Sequence, residues 1–153
     1  MEVRSYLIEA HIIKKSGDNI LFLLLKRAED ETYPNVWQMV TGSIKKDEKA
    51  WETALREIKE ETSLIPEHFW VVPTVNSFYN EHRDDVCMVP VFLAEVPEES
   101  NVIISDEHSE YKWVTKEEAK DLLAWPGQRN AVDIIYDYFL NQKSVLNFIE
   151  INL

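Results

Sequence analysis

The segment from residue 42 to residue 64 constrains the fold of this chain more than any other part of the sequence. On a helix with about 100° per residue, its apolar residues lie on one stripe. The stripe is formed by Trp51, Ala54, Leu55 and Ile58. The spacing therefore predicts a helix over residues 49–62 that packs one face against a hydrophobic core.

Three glutamates lie on the arc beside this stripe: Glu57, Glu60 and Glu61. At i,i+4, Glu57 and Glu61 repel each other, which costs an isolated helix about 0.2–0.5 kcal/mol. Glu60 and Glu61 also lie near the C-terminal end of the helix, where its dipole favours cations. A hard divalent cation bound through carboxylate oxygens would turn these repulsions into attraction. A charged helix face exposed to solvent is the alternative interpretation.

The spacing of the whole segment favours the metal hypothesis. Five residues separate Gly42 from Glu48, and seven more precede Arg56-Glu57-Ile58-Lys59-Glu60-Glu61. This pattern resembles the signature of the Nudix hydrolases, which cleave a nucleoside diphosphate linked to another moiety. Ser63 stands where that signature has a glycine suited to a left-handed helix cap, and a serine there costs on the order of 1 kcal/mol.

The resemblance implies an α/β (α+β) fold in which helices lie on both sides of a mixed β-sheet, a helix–sheet–helix sandwich. The length of 153 residues fits a single domain over residues 1–153. Apolar runs predict strands at residues 3–13, 20–25, 37–40, 69–72, 75–79, 86–96 and 111–114. Pro90 makes the strand at 86–96 an edge or bulged strand. The sequence from Thr115 to Glu118 reads as a capping box, and residues 128–141 predict an amphipathic helix after a break at Trp125-Pro126-Gly127.

Family resemblance also implies chemical roles for the segment. Glu57, Glu60 and Glu61 would hold Mg²⁺, with Mn²⁺ as the alternative ion, and Glu57 or Glu61 would also deprotonate or orient the attacking water. Arg56 would orient Glu57 or pair with Glu60, its alternative role being an ordinary surface ion pair. Glu48 would brace the loop and the helix through hydrogen bonds.

Further ligands and a general base are expected outside the helix. The carbonyl of Thr41 is a candidate metal ligand, because the following Gly42 permits a sharp turn. In this family the general base or an extra metal ligand often comes from a separate loop, and Glu107 is the favoured residue here, with Glu110 as the alternative. His108 is a candidate phosphate contact or a residue that stabilises the loop.

Two further segments resemble one subgroup of the family, the bacterial dihydroneopterin triphosphate pyrophosphohydrolases, some of which accept dATP. They are residues 37–43, Trp-Gln-Met-Val-Thr-Gly-Ser, and residues 107–113, followed by a similar break at residues 125–129. The resemblance implies cleavage of a triphosphate into a monophosphate and pyrophosphate. The candidate substrate-binding residues are Arg4, Arg27, Trp37, Gln38, Thr41 and His108, with Tyr79 and Trp125 as further aromatic surfaces. Other diphosphates, such as a dinucleoside polyphosphate, a nucleotide sugar or an oxidised nucleotide, and a non-catalytic sensing module are the alternatives.

Charge and composition limit the partners. With 16 basic and 28 acidic side chains the net charge is −12, which argues against a nucleic-acid polymer or an anionic membrane as a partner. A small triphosphate substrate would therefore depend on metal ions and local cationic side chains. Cys87 lies in a hydrophobic run and is expected to be a buried free thiol. Since the sequence has neither a leader-like nor a long apolar segment, a cytoplasmic protein is expected, as a monomer or a homodimer.

Overall fold

A computed structural model describes all 153 residues, in which eight strands form one mixed sheet with helices on both faces. The strands are β1 (Glu2–Arg4), β2 (Leu7–Ser16), β3 (Asn19–Arg27), β4 (Trp37–Gln38), β5 (Val40–Ser43), β6 (His68–Asn80), β7 (Asp85–Glu95) and β8 (His108–Val114). The helices are α1 (Ala50–Thr62), α2 (Lys116–Leu122), α3 (Pro126–Asn141) and α4 (Leu146–Ile149), with a 3₁₀ turn at Lys143–Val145. The predicted helix–sheet–helix sandwich is confirmed.

Strands β2 and β3 diverge after their hairpin, and this divergence positions the candidate site. They pair with each other only from Ile13–Phe22 to Ser16–Asn19, next to the turn. Farther from the turn, β5 takes the place beside β2, and β4 takes the place beside β3. Both β4 and β5 therefore lie between the diverging strands, with β8 on the outer side of β3 and β7 on the outer side of β2.

Alternation along the strands divides the core into two layers, because successive strand residues point to opposite faces. On one face, Ile8, Ala10 and Ile12 of β2 pack in one cluster with Ala54 and Ile58 of α1. The other face carries a second cluster that joins β3 and β7 to α2 and α3. Its members include Phe22, Leu24, Val91, Leu123, Val132, Ile135 and Phe139. The intervening residues Glu9 and His11 of β2 consequently face the α3 layer.

Helix α1 ends as the family signature predicts. Ser63 is its C-cap and has φ 63° and ψ 12°, the left-handed conformation that a glycine would adopt at lower cost. The Ser63 N–H donates to the Lys59 carbonyl, and its hydroxyl donates to the Ile103 carbonyl at 3.2 Å. The helix therefore closes at Thr62 although the signature glycine is absent.

Several predicted boundaries were wrong. The strand predicted at 3–13 is divided at Ser5 and Tyr6, because β1 and β2 pair with successive parts of β7. Strand β7 pairs with β6 on one side and with β1 and β2 on the other, so Pro90 does not mark an edge strand. The register irregularity lies in the partner strand β6, between Val71 and Val75, and Pro90 pairs with Val75.

The expected break before the last long helix is present, but it lies at residues 123–125 and not at Trp125-Pro126-Gly127. Pro126 is the first residue of α3, a position where its fixed φ fits a helix and its missing N–H is not needed. The capping box before α2 is confirmed, since the Thr115 hydroxyl accepts from the Glu118 N–H at 3.3 Å.

Cys87 is fully buried and has no disulfide partner. None of the helices has both the length and the apolar character of a segment that crosses a lipid bilayer.

Candidate active site

Arg56 holds the acidic residues of α1 in a fixed arrangement. Its guanidinium donates two hydrogen bonds to the Glu48 carboxylate, at 2.8 and 2.9 Å, and one to Glu57 Oε1 at 2.7 Å. It also reaches Glu60 Oε2 at 3.3 Å and the Ser43 carbonyl at 3.1 Å. Arg56 is therefore in contact with both acids that the sequence paired with it, and it joins α1 to the end of β5.

Glu48 serves as the brace between the loop and the helix. One of its carboxylate oxygens accepts from the Thr53 hydroxyl at 2.6 Å and from the Lys45 N–H at 3.2 Å. The hydrogen bonds from Arg56 and Thr53 lower the pKa of Glu48 to about 2, so the carboxylate remains ionised at any physiological pH.

Gly42 allows β5 to approach α1 closely. A Cβ at this position would lie 2.3 Å from Cγ of Glu57, a distance that no side chain tolerates. The sharp turn expected here is absent, because Thr41 and Gly42 continue β5 and pair with Glu9 and Ile8 of β2. The Thr41 carbonyl was expected as a metal ligand because of that turn, so the expectation loses its structural basis. Gly42 instead leaves room for the Glu57 side chain.

Glu61, Glu107 and His108 come together at the start of β8. One ligand atom from each lies within 4.8 Å of the other two. Glu61 Oε1 is 3.6 Å from His108 Nε2, and Glu61 Oε2 is buried without a hydrogen-bond partner. Glu61 is only 2% exposed, whereas Glu107 is exposed on the loop. The group thus has a buried end and a solvent-facing end.

The acids of this group repel each other, and their pKa values reflect it. Burial, followed by the charges of Glu57 and Glu107, raises the pKa of Glu61 to about 10. Burial and the charge of Glu57 also raise the pKa of Glu107. Burial together with the positive charge of Arg27 lowers the pKa of His108 to about 4, so its ring is neutral at pH 7. Arg27 is the cationic residue that affects the pKa values of all three residues.

The loop between β3 and β4 contacts the loop that carries Glu107. The Ala28 N–H donates to the Glu107 carbonyl at 3.0 Å, which fixes the loop that carries Glu107. Arg27 is turned towards its own loop, with a hydrogen bond from Nε to the Thr32 carbonyl and an ion pair to Glu31 at 3.8 Å. Its charge nevertheless lowers the pKa of both Glu61 and Glu107, so Arg27 lies beside the acids, where a phosphate contact was predicted.

Some of the other predicted substrate-binding residues lie in this site, and others lie elsewhere in the protein. Gln38 is 7% exposed and its amide nitrogen lies 3.1 Å from His108 Nε2, so it supports His108 from the interior. Trp37 is half-buried, with the Lys112 ammonium 4.7 Å from its ring centroid. Arg4 lies on β1 and forms ion pairs with Glu2 at 2.6 Å and with Asp85 at 3.9 Å, not with the glutamates of α1.

The aromatic candidates are exposed. Trp125 is 46% exposed and lies edge-to-face against Tyr33, with a centroid separation of 5.6 Å. The sequence interpretation missed Tyr33, which lies in a polar loop without any periodic signal. Tyr79 lies at the far end of β6, where its hydroxyl donates to Asp84 at 2.9 Å. The structure thus places an aromatic pair at the start of α3 and leaves Tyr79 on the hairpin.

The donor set suits a divalent cation. Glu61 Oε2 has no donor in the protein, and the nearest arginines, Arg56 and Arg27, form their hydrogen bonds with other groups. Carboxylate oxygens are the ligands that Mg²⁺ and Mn²⁺ prefer, and the imidazole of His108 adds a nitrogen. His108 was predicted as a phosphate contact or as a residue that stabilises the loop, and its closeness to Glu61 was missed. Its position next to Glu107 in the sequence was the available signal.

Comparisons with known proteins identify the family. The NUDIX domain model matches residues 8–134 of this chain. The dihydroneopterin triphosphate diphosphatase of Haemophilus influenzae is 30% identical over 142 residues, which cover 85% of this chain and 85% of that protein. The asymmetrical bis(5'-nucleosyl)-tetraphosphatase of Caenorhabditis elegans is 28% identical over 109 residues, which cover 71% of this chain and 77% of that protein.

Solved structures are similar to the whole sandwich. A C. elegans Ap4A hydrolase in a binary complex matches with a TM-score of 0.74 at 23% identity, over 90% of this chain and 97% of that chain. At this identity the likeness concerns the fold alone.

Proposed function

The chain belongs to the Nudix hydrolase family, and on that premise we propose that it is a pyrophosphohydrolase of a pterin or purine triphosphate. It hydrolyses the phosphoanhydride between the α and β phosphates, so that the products are a monophosphate and pyrophosphate. Dihydroneopterin triphosphate and dATP are the proposed substrates. Nudix hydrolases act on nucleoside diphosphate derivatives and depend on divalent metal ions. For this chain we propose a pterin or purine triphosphate as the substrate and Mg²⁺ or Mn²⁺ as the ion.

The observation that carries the proposal is the convergence of Glu61, Glu107 and His108 beside Glu57, where only Glu57 has a hydrogen bond from an arginine. The pKa values of Glu61 and Glu107 are both raised, so these carboxylates gain most from a positively charged ligand. We assign Mg²⁺, with Mn²⁺ as the alternative, to Glu57, Glu60, Glu61 and Glu107. Magnesium would polarise the phosphoryl oxygens and neutralise their charge.

The three acids differ in their contacts and exposure, and this suggests a division of roles. Arg56 fixes one carboxylate oxygen of Glu57, and Glu61 is enclosed between α1 and β8. Glu107 lies on an exposed loop and has a raised pKa, which suits a residue that takes a proton from water. Glu107 is accordingly the proposed general base, and Arg56 positions Glu57.

The substrate assignment is supported by residues 37–43, which resemble the corresponding segment of the dihydroneopterin triphosphate enzymes. A pterin or purine needs an aromatic surface and a few hydrogen-bonding groups. Trp125 and Tyr33 provide an exposed aromatic pair near the start of α3. Arg27 provides positive charge beside Glu61 and Glu107. Lys112 of β8 lies with its ammonium 4.7 Å from the centroid of the Trp37 ring.

The test is a substrate panel with identification of the products. Purified protein is incubated with MgCl₂ and dihydroneopterin triphosphate, dATP, diadenosine tetraphosphate or a nucleotide sugar, with a parallel Glu61→Gln preparation to control for contaminating phosphatases. Pyrophosphate and a monophosphate are the expected products from the first two compounds. Release of orthophosphate, or no hydrolysis of either compound, would reject the proposal.

A further inference from the structure

One face of the sheet is left uncovered beside α1. The helix packs on β2 through Ala54 and Ile58. Farther out, on β1 and the β6–β7 hairpin, five apolar side chains are between 37% and 69% exposed: Val3, Val71, Val75, Tyr79 and Met88. None of the five belongs to either hydrophobic cluster. We call these residues, together with Ser77, Val86 and Pro90, the hairpin face.

The strand register makes the hairpin face one continuous patch. Val86 of β7 pairs with Val3 of β1 on one side and with Tyr79 of β6 on the other. Side chains of paired residues point to the same face of a sheet, and so do residues two apart along a strand. Met88 and Pro90 therefore continue the same patch along β7.

The hairpin face lies on the same side of the sheet as α1. Phe92, two residues beyond Pro90, is buried in the cluster that contains α1, and it pairs with Val71. Val75 pairs with Pro90 and so lies on this side as well. The apolar surface that α1 buries over β2 thus continues outwards over β7 and β6, where no helix covers it.

The hairpin face has no charged residue, although 29% of the residues in the chain are charged. The opposite face of the same strands is different, since Glu2 and Arg4 of β1 and Asp85 of β7 lie there. Large apolar patches are rare on soluble monomers and usually mark an interaction site.

Strand β6 is also a poorly protected edge of the sheet. Its outer side is bridged at Trp70, by Glu150 of the C-terminal segment. Charges, prolines and irregularities normally keep such edges from associating. Strand β6 has Pro73 and the irregularity between Val71 and Val75, but residues 75–80 contain no charge, no proline and no irregularity. An uncharged edge next to an apolar face needs a partner to stay soluble.

We propose that the hairpin face binds the hairpin face of a second copy of this chain, with the two sheets packed face to face. Each chain carries a net charge of −12, so two copies repel each other least where they meet through an uncharged surface. A sheet face can pack against an identical face, and a two-fold axis closes the pair without further growth.

The exposed area agrees with this partner. The exposed side chains amount to on the order of 500 Å² of apolar surface on each copy. Two copies would bury about 1,000 Å² together, the area at which specific protein interfaces begin.

The candidate active site remains open in such a dimer. Strands β6 and β8 are opposite edges of the sheet, since β6 pairs with β7 alone and β8 pairs with β3 alone. Glu107 and His108 lie at the start of β8. The inference therefore does not rest on the proposed function, and each can fail without the other.

Analytical ultracentrifugation of the full chain tests the inference. From about 1 to 100 µM, the wild-type protein should sediment with the mass of two chains at the upper end of the range. Val75→Glu places like charges on both halves of the interface, so it should raise the dissociation constant of the dimer by at least about 100-fold. Phe78→Glu is the matched control, because Phe78 lies on the same strand, is 42% exposed and pairs with Cys87 on the opposite face. It should leave the dimer intact.

Met88→Glu, on β7, is a second variant with the same expected effect. Circular dichroism and the melting temperature show that the variants are folded. A wild-type protein that stays monomeric throughout the range, or a dimer that Val75→Glu and Met88→Glu do not weaken, would overturn the inference. Equal weakening by Phe78→Glu would also overturn it, because pairing of two β6 edges would then hold the copies together.

A lipid surface is the other occupant that an apolar sheet face could take. Sedimentation with neutral phosphatidylcholine vesicles separates the two cases. The wild-type protein should stay in the supernatant. Binding to the vesicles that is lost in Val75→Glu and retained in Phe78→Glu would show that the hairpin face binds a membrane, which would overturn the inference.

Discussion

Two neighbouring glutamates on α1 have opposite electrostatic surroundings. Glu57 accepts a charge-assisted hydrogen bond from Arg56 at 2.7 Å. One helical turn later, Glu61 is buried among other acids, and the pKa of its carboxyl is raised to about 10. The arginine therefore satisfies one side of the acidic group and leaves the other side to be satisfied by a cation.

The first prediction concerns the activity of Glu61→Gln. The amide keeps the shape of the side chain but removes the charge that would hold the metal ion and the water, so kcat should fall by at least about 10²-fold while the protein remains folded. Turnover of the best panel substrate and the circular dichroism spectrum provide the measurement. Glu67→Gln, the same substitution at an exposed position, is the control, and unchanged turnover in Glu61→Gln would exclude the role of Glu61 in catalysis.

The stability of the metal-free protein should depend on pH through the same residue. The pKa of Glu61 is about 10 in the folded chain against an ordinary value of 4.5. Between these values the folded state holds a proton that the unfolded state has lost, so the free energy of unfolding falls as pH rises, by at most about 1.4 kcal/mol per pH unit. Urea unfolding at pH 6 and pH 9 in the presence of a chelator measures this slope. Glu61→Gln should reduce the slope, and parallel curves for the two proteins would contradict the prediction.

At the level of the elements, the contact between β5 and α1 depends on Gly42. Strand β5 is fixed by its pairing with β2, and α1 is fixed by the packing of Ala54 and Ile58 beneath that strand. The Glu57 side chain occupies the space between them. Neither element can yield without disturbing the core, because both are packed on buried residues.

Gly42→Ala and Gly17→Ala should therefore have different consequences. At Gly42 the new methyl group meets Glu57, so we expect a loss of about 1–3 kcal/mol in stability and a large loss of activity. At Gly17, in the β2–β3 hairpin, φ is +62° and no atom lies within 4 Å, so the substitution should cost about 1–2 kcal/mol in stability and leave activity intact. Urea unfolding and specific activity of both variants, with equal activity losses as the contradictory outcome, test the difference.

Ser63 permits a prediction in the stabilising direction. Glycine adopts the left-handed conformation of this C-cap without strain, so Ser63→Gly should increase the free energy of unfolding by about 0.5–1 kcal/mol. Ser63→Ala keeps the strain and loses the hydrogen bond to the Ile103 carbonyl, so it should be slightly less stable than the wild type. A destabilised Ser63→Gly would mean that this hydrogen bond outweighs the strain of the cap.

Predictability from the sequence differed between local and long-range features. Helix α1 was predicted to within one residue, because its stripe, its cap and its spacing are local patterns. The burial of Gln38 and His108 was not predicted, since it depends on the contact between these two residues, which are 70 positions apart in the sequence. The contact of Gly42 with Glu57 was hidden for the same reason: a glycine in a sequence suggests a turn as readily as a close approach.

At the level of the whole molecule, the net charge of −12 opposes a negatively charged substrate. Arg27 is a local exception, because it lies beside Glu61 and Glu107. The long-range field is screened beyond about 10 Å at ordinary ionic strength, so nearby cations decide whether a triphosphate binds. A divalent ion would supply what the side chains lack.

Magnesium should consequently stabilise the folded protein. An ion that binds only the native state raises the free energy of unfolding by about 2.7 kcal/mol when its concentration is 100 times its dissociation constant. We expect the melting temperature to rise with MgCl₂ and not with NaCl of equal ionic strength, and the rise to be smaller in Glu61→Gln. A melting temperature that responds equally to the two salts would argue against a magnesium site.

Because the Glu61 carboxyl stays protonated near neutrality in the metal-free chain, loading the site must discharge hydrogen ions into the medium. The number of protons released would then depend on how much of the metal ion is bound. Its apparent affinity for the ion would improve in alkaline solution, and the heat of loading would vary with the ionisation enthalpy of the chosen buffer.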